Sequence, residues 1–115
     1  MPWHLTLKHR ACLGENTVAY SLGEIEIREN ATVAQEVYLC TGTHDFESPT
    51  FQLVTSKITI GKNAFIGARA MVLPGVTIGE NAIVGAMSVV SKNINQSHIV
   101  VGNPATKIGT RKLSC

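Results

Sequence analysis

Residues 60–95 read, in blocks of six, IGKNAF, IGARAM, VLPGVT, IGENAI, VGAMSV and VSKNIN. The first position of each block is Ile60, Ile66, Val72, Ile78, Val84 or Val90. Ile, Leu and Val together make up about a quarter of the chain, so six hits in a preset register would arise by chance about once in 4,000 trials. The second position is rich in glycine, at Gly61, Gly67, Gly79 and Gly85. The fifth is small or aliphatic: Ala64, Ala70, Val76, Ala82, Ser88 and Ile94.

Working outward, the same pattern recurs upstream in shifted phases. Leu7, Leu13 and Ala19 form one run, with Ala11, Thr17 and Gly23 at the fifth positions. After a slip of two residues, Ile27, Val33 and Leu39 form another, with Ala31, Val37 and Thr43. A long interruption from Asp45 to Lys57 separates this run from the one that starts at Ile60.

A six-residue period matches neither the helix period of 3.6 nor simple strand alternation. It suits a prism whose faces are short strands and whose corners are turns, three hexads to a coil. The expected fold is therefore all-β, a parallel β-helix of four to five coils with a loop extruded at about 45–57. First and fifth positions face inward, and glycine near each corner supplies backbone angles that a side chain would oppose. Each coil buries its apolar face only against its neighbours. A stub this short leaves much surface on its walls, which favours self-association.

Composition agrees with a narrow interior. The chain of 115 residues has only 5% aromatic residues and ten glycines. A formal charge of +2 offers no footprint for nucleic acid or an anionic membrane. No stretch approaches the apolar length of a membrane span, and Met1-Pro2-Trp3-His4 lacks the layout of an export signal, so the expected compartment is the cytoplasm. Cys12, Cys40 and Cys115 are widely spaced and indicate neither disulfides nor a zinc site; Cys12 and Cys40 read as buried or half-buried fillers. One domain is expected over 1–115, with an edge segment at 1–6 and a tail at 104–115. Lys107, Arg111 and Lys112 make that tail basic.

The hexads from Ile60 to Asn95, the segment Cys40-Thr41-Gly42-Thr43-His44-Asp45, the stretch Leu73-Pro74-Gly75-Val76-Thr77-Ile78-Gly79 and the ending Val101-Gly102-Asn103-Pro104-Ala105 together resemble the hexapeptide-repeat O-acetyltransferases. The resemblance is nearest to the colanic-acid branch, with galactoside, maltose and nodulation-factor acetyltransferases as wider kin. It implies a left-handed winding, which periodicity alone does not fix. It further implies a homotrimer with active sites between subunits and acetyl-coenzyme A as co-substrate. His44 is the general base on this resemblance; Ala68, Ala86, Ser91 and Lys92 would line the coenzyme A path, and Ser21 and Asp45 the acceptor site.

Three departures from the family pattern stand out. Similar enzymes carry additional sequence before Trp3, so an acceptor contact or end cap is expected to be missing. Ser21 stands where relatives have asparagine before a Leu-Gly pair, offering one hydroxyl in place of an amide. The basic residues after Asn103-Pro104-Ala105 are displaced.

Imidazole suits the chemistry, because an alcohol is a poor nucleophile until a base near neutrality takes its proton. Two other readings compete with this one. A trimeric β-helix scaffold without turnover would need none of these roles. A zinc β-helix would need three converging imidazoles, and His4, His9, His44 and His98 show no repeating spacing. No nucleotide-binding glycine fingerprint is present.

Overall fold

The computed structural model describes residues 5–20, 23–44, 47, 49–50 and 52–112, with backbone alone at Tyr20, Thr43, His44 and Leu53. Its strands fall into successive circuits. The first holds β1 (Leu5–Leu7), β2 (Cys12–Leu13) and β3 (Val18–Tyr20); the second β4 (Ile25–Ile27), β5 (Thr32–Val33) and β6 (Tyr38–Cys40). A hairpin of β7 (Gly42–His44) and β8 (Leu53–Thr55) follows. Next come β9 (Ile58–Ile60), β10 (Phe65–Ile66) and β11 (Met71–Val72), then β12 (Thr77–Ile78), β13 (Ile83–Val84) and β14 (Val89–Val90). The chain ends in β15 (His98–Val101) and β16 (Thr106–Thr110).

Three sheets result, and the chain visits them in rotation. The first is ordered β1-β4-β9-β12, the second β2-β5-β10-β13-β15-β16, and the third β3-β6-β11-β14. Every pairing in them is parallel except β15 with β16. This is a three-walled parallel β-helix. No helix among the described residues is long and apolar enough to cross a membrane.

Registers explain the phases seen in the sequence. Ile60 pairs with Ile78, Ile66 with Val84 and Val72 with Val90, each three hexads apart. Leu7 pairs with Ile27, absorbing the two-residue slip, and Ile27 pairs with Ile60, absorbing the interruption. Periodicity places that interruption at 45–57. Its strands begin earlier, as the antiparallel pairs Gly42 with Thr55, Thr43 with Val54 and His44 with Leu53 form a sheet of their own.

First- and fifth-position side chains are the core. Ile60, Ile66, Val72, Ile78, Val84 and Val90 are wholly buried, and Ala64, Ala70, Val76, Ala82, Ser88 and Ile94 are buried beside them. The two positions lie two residues apart on one strand and so share its inner side. Leu7 is 47% exposed despite its inward register, since among the described residues its strand β1 is the edge of its sheet, with β4 on one side only. Cys12 is exposed on the outside of β2 rather than buried as a filler; Cys40 is half-buried.

The corners are built differently from expectation. Positive φ falls on the fourth hexad position, at Asn63, Arg69, Gly75, Asn81 and Met87, and upstream at Arg10, Asn16, Asn30 and Glu36. Backbone N–H groups there bond to the circuit before: Asn63 to the Glu29 carbonyl, Asn81 to that of Lys62, Met87 to that of Ala68, each at 2.9 Å. The second-position glycines answer a different demand. A Cβ on Gly61 would lie 2.6 Å from the Ile78 carbonyl oxygen and 2.8 Å from the Glu80 nitrogen. The next circuit simply passes too close.

These two causes predict opposite outcomes. Gly61→Ala should destabilise by about 1–3 kcal/mol through overpacking. Met87→Gly should be neutral or stabilise by up to about 1 kcal/mol, since it relieves a left-handed residue at a site that is 70% exposed. Denaturant unfolding of both variants checks the pair.

Candidate active site

The candidate residues gather on two adjacent corners. The turn from the second sheet to the third carries Ala68 in one circuit and Ala86 in the next. Gln35, Ala68 and Ala86 stand in one column, linked through Arg69 N–H to the Gln35 carbonyl at 3.1 Å and Met87 N–H to the Ala68 carbonyl. Ala68 is half-buried and Ala86 exposed. With only a methyl at each place, the turn backbone stays open to a linear ligand.

The turn from the third sheet back to the first carries the rest. Ser91 and Lys92 follow β14 and are exposed; beside them the Asn93 Oδ1 accepts the Thr77 N–H at 2.8 Å. The hairpin bearing His44 leaves from this same corner, between β6 and β9. Only its backbone is described at His44, and Ser21 and Asp45 lie outside the described residues. Sheet three thus separates Ala68 and Ala86 from the His44 hairpin and Lys92 within one chain.

The hairpin's base is tightly held. Thr41 is wholly buried, its hydroxyl oxygen accepts the Gly23 N–H at 2.8 Å, and its carbonyl accepts the Ser56 N–H at 2.9 Å. A Cβ on Gly23 would lie 3.2 Å from the Thr41 Cβ, and one on Gly75 would lie 3.3 Å from the Ser56 Cβ. Just past the hairpin, the Lys57 ammonium lies 3.1 Å from a Glu26 carboxylate oxygen and 3.6 Å from Glu24. The hydrogen bond from Lys57 holds the Glu26 carboxyl below its usual range, against the opposing pull of desolvation, and raises Lys57 in turn.

Two features lie elsewhere. A groove of about 590 Å³ crosses the first sheet, lined by His9, Arg28, Thr59, Lys62, Thr77 and Glu80 among others; it holds none of the candidate residues. Arg111, read from sequence as part of a basic tail, is instead a strap. Its N–H bonds to the Ser97 carbonyl at 2.7 Å and its guanidinium to the Asn63 carbonyl at 2.7 Å. Nothing in the sequence marks that bond, which spans 48 residues. Among the described residues no three His, Cys, Asp or Glu side chains are placed to hold a metal ion.

Residues 57–92 match the family described as bacterial transferase hexapeptide (six repeats). The chain is 41% identical over 110 residues to WcaF of Escherichia coli (strain K12), an inferred colanic acid biosynthesis acetyltransferase, covering 96% of this chain and 60% of that protein. A maltose O-acetyltransferase from Clostridium difficile 630 superposes with a TM-score of 0.91 at 28% identity, over 96% of this chain and 61% of that one. A single-residue mutant of AntD, an N-acyltransferase from Bacillus cereus solved with dTDP-4-amino-4,6-dideoxyglucose and coenzyme A, gives 0.85 at 29%, over 95% and 64%.

The Glu26–Lys57 pair sets a pH dependence. Glu26 has a lowered folded pKa, so its contribution exists above the unfolded value and is lost as pH falls through the folded one. Lys57→Gln should therefore lower the melting temperature slightly at pH 7, with the gap closing as pH falls through the lowered Glu26 value. Thermal melts of both proteins across that range measure it.

Proposed function

We propose that this chain, whose residues 57–92 match the bacterial transferase hexapeptide family, moves an acetyl group from acetyl-coenzyme A to a hydroxyl of a sugar or related acceptor. One observation carries this reading: AntD, a protein solved with coenzyme A and a sugar nucleotide together, shares the fold over 95% of this chain. The chain spans 60% of the length of its E. coli relative, and the activity is assigned to it on these grounds. The prism is read as left-handed, one domain of four to five coils with the 45–57 segment extruded.

In this mechanism His44 takes the acceptor O–H proton as the oxygen attacks the thioester carbonyl. The carbon–sulfur bond breaks, and the imidazolium returns the proton to the leaving sulfur, so no acyl-enzyme is needed. The open turns at Ala68 and Ala86 would run beside the pantetheine amides, and Ser91 and Lys92 beside the nucleotide, where a lysine serves as a point charge for phosphate. Ser21 and Asp45 are assigned to the acceptor. Acetyl-coenzyme A as donor puts the reaction in the cytoplasm.

A homotrimer joins the two corners that one chain keeps apart, since a neighbour's hairpin can reach the Ala68–Ala86 column. The walls support this. Outward positions on the third sheet include Val18, Tyr38, Met71 and Val89, and on the second Cys12, Thr32, Phe65, Ile83 and Ile99. The first sheet shows Thr6, Glu26, Thr59 and Thr77 instead. Apolar walls that are exposed in a single chain mark a contact surface.

Thiol release from acetyl-coenzyme A, assayed against a panel of hydroxyl and amino sugars, should find turnover with a hydroxyl acceptor. His44→Ala should cut kcat by about 10²–10⁴-fold with the fold retained; full transfer by that variant would remove His44 from its role. Val89→Asp should convert a trimer into monomers in light-scattering chromatography and abolish transfer along with it.

A further inference from the structure

The base of the His44 hairpin is a junction of four segments. Thr41 enters the hairpin, Thr55 and Ser56 leave it, Gly23 comes from the preceding circuit and Gly75 from the following one. Both glycines stand so close that any side chain there would push against the hairpin's base, at 3.2 Å from the Thr41 Cβ and 3.3 Å from the Ser56 Cβ. At the centre sits a threonine with no exposure at all, whose hydroxyl oxygen and carbonyl each accept a backbone N–H from a different segment.

A buried hydroxyl needs a partner, and a threonine filling a core position would ordinarily be valine. Here the hydroxyl spans between circuits. It bonds the amide of Gly23, two residues after Ser21, while the strand that follows Thr41, β7, ends at His44, three residues on. One side chain therefore ties the segment assigned to the acceptor to the segment assigned to the base.

We propose that Thr41 is a positioning residue, fixing the His44 hairpin against the Gly23 corner so that base and acceptor keep a constant separation. The inference rests on the acetyl-transfer reading for its consequence, though not for the bond itself. Thr41 touches neither substrate. Its effect passes through backbone, and a small displacement of a base from its acceptor is enough to lower turnover substantially.

The test compares Thr41→Val, which keeps the shape, with Thr41→Ser, which keeps the hydroxyl; Thr41→Ala replaces the valine variant if that one fails to fold. Amide exchange of Gly23 should quicken about tenfold in the variant lacking the hydroxyl and stay near wild type in the serine variant. His44 ring resonances should shift in the former alone. Acetyl-coenzyme A affinity by calorimetry should change less than about twofold, while kcat for transfer to the sugar panel falls about tenfold or more.

Unchanged Gly23 exchange and unchanged His44 resonances in the hydroxyl-free variant would overturn the proposal, as would equal losses in the serine variant. A wild-type protein that acetylates nothing in the panel would instead remove the acetyl-transfer reading, and the exchange measurement would still decide the junction.

Discussion

Everything here depends on the spacing of hydrogen-bonded strands, about 4.8 Å from one circuit to the next. At that distance like must lie on like. Ile60 can rest on Ile78 only if the circuit between them closes on three hexads, and corners such as those at Asn63, Asn81 and Met87 bond to the one before through a left-handed residue. The same tightness leaves no room at Gly61 or Gly67, where a single methyl group would strike the backbone of the following circuit. Hydrophobic stacking supplies the driving force, but the interstrand distance dictates which residue types are admitted at which place.

Much of this was legible because a solenoid writes its geometry into the chain as a period. The inward positions were plain from Ile60 onward, and the interior proved to be built from them. The reason for the glycines was not. Periodicity shows that a small residue recurs and is silent on whether backbone angle or proximity requires it. Asparagine recurs at the left-handed corner, at Asn16, Asn30, Asn63 and Asn81, but Arg69 and Met87 hold it as well, so residue type announces it only in part. Cys12 looked like filler among aliphatics, yet it occupies the outward step of its strand.

Of the candidate site, the stacking of two members was legible in the sequence and the rest of the arrangement was not. Ala68 and Ala86 share a hexad position, and stacking brought them into one column. His44 stood out through the segment around it, but Thr41 did not, because a threonine three residues before a histidine carries no signal until its burial is known. Arg111 likewise joins residues far apart in sequence, and such a contact follows from how β16 folds back across β15. Long-range polar bonds are the part of a fold that local pattern cannot encode.

The three-hexad circuit also constrains how such a protein can change length through descent. A duplication of eighteen residues adds a storey and leaves every wall in place. A duplication of six turns everything on one side of it through a third of a revolution relative to the other. Placed between Gly23 and Thr41, it would carry the histidine to a different edge from its acceptor. Lineages that lengthen this scaffold and keep its chemistry are thus confined to whole storeys, or to growth at the tips of loops.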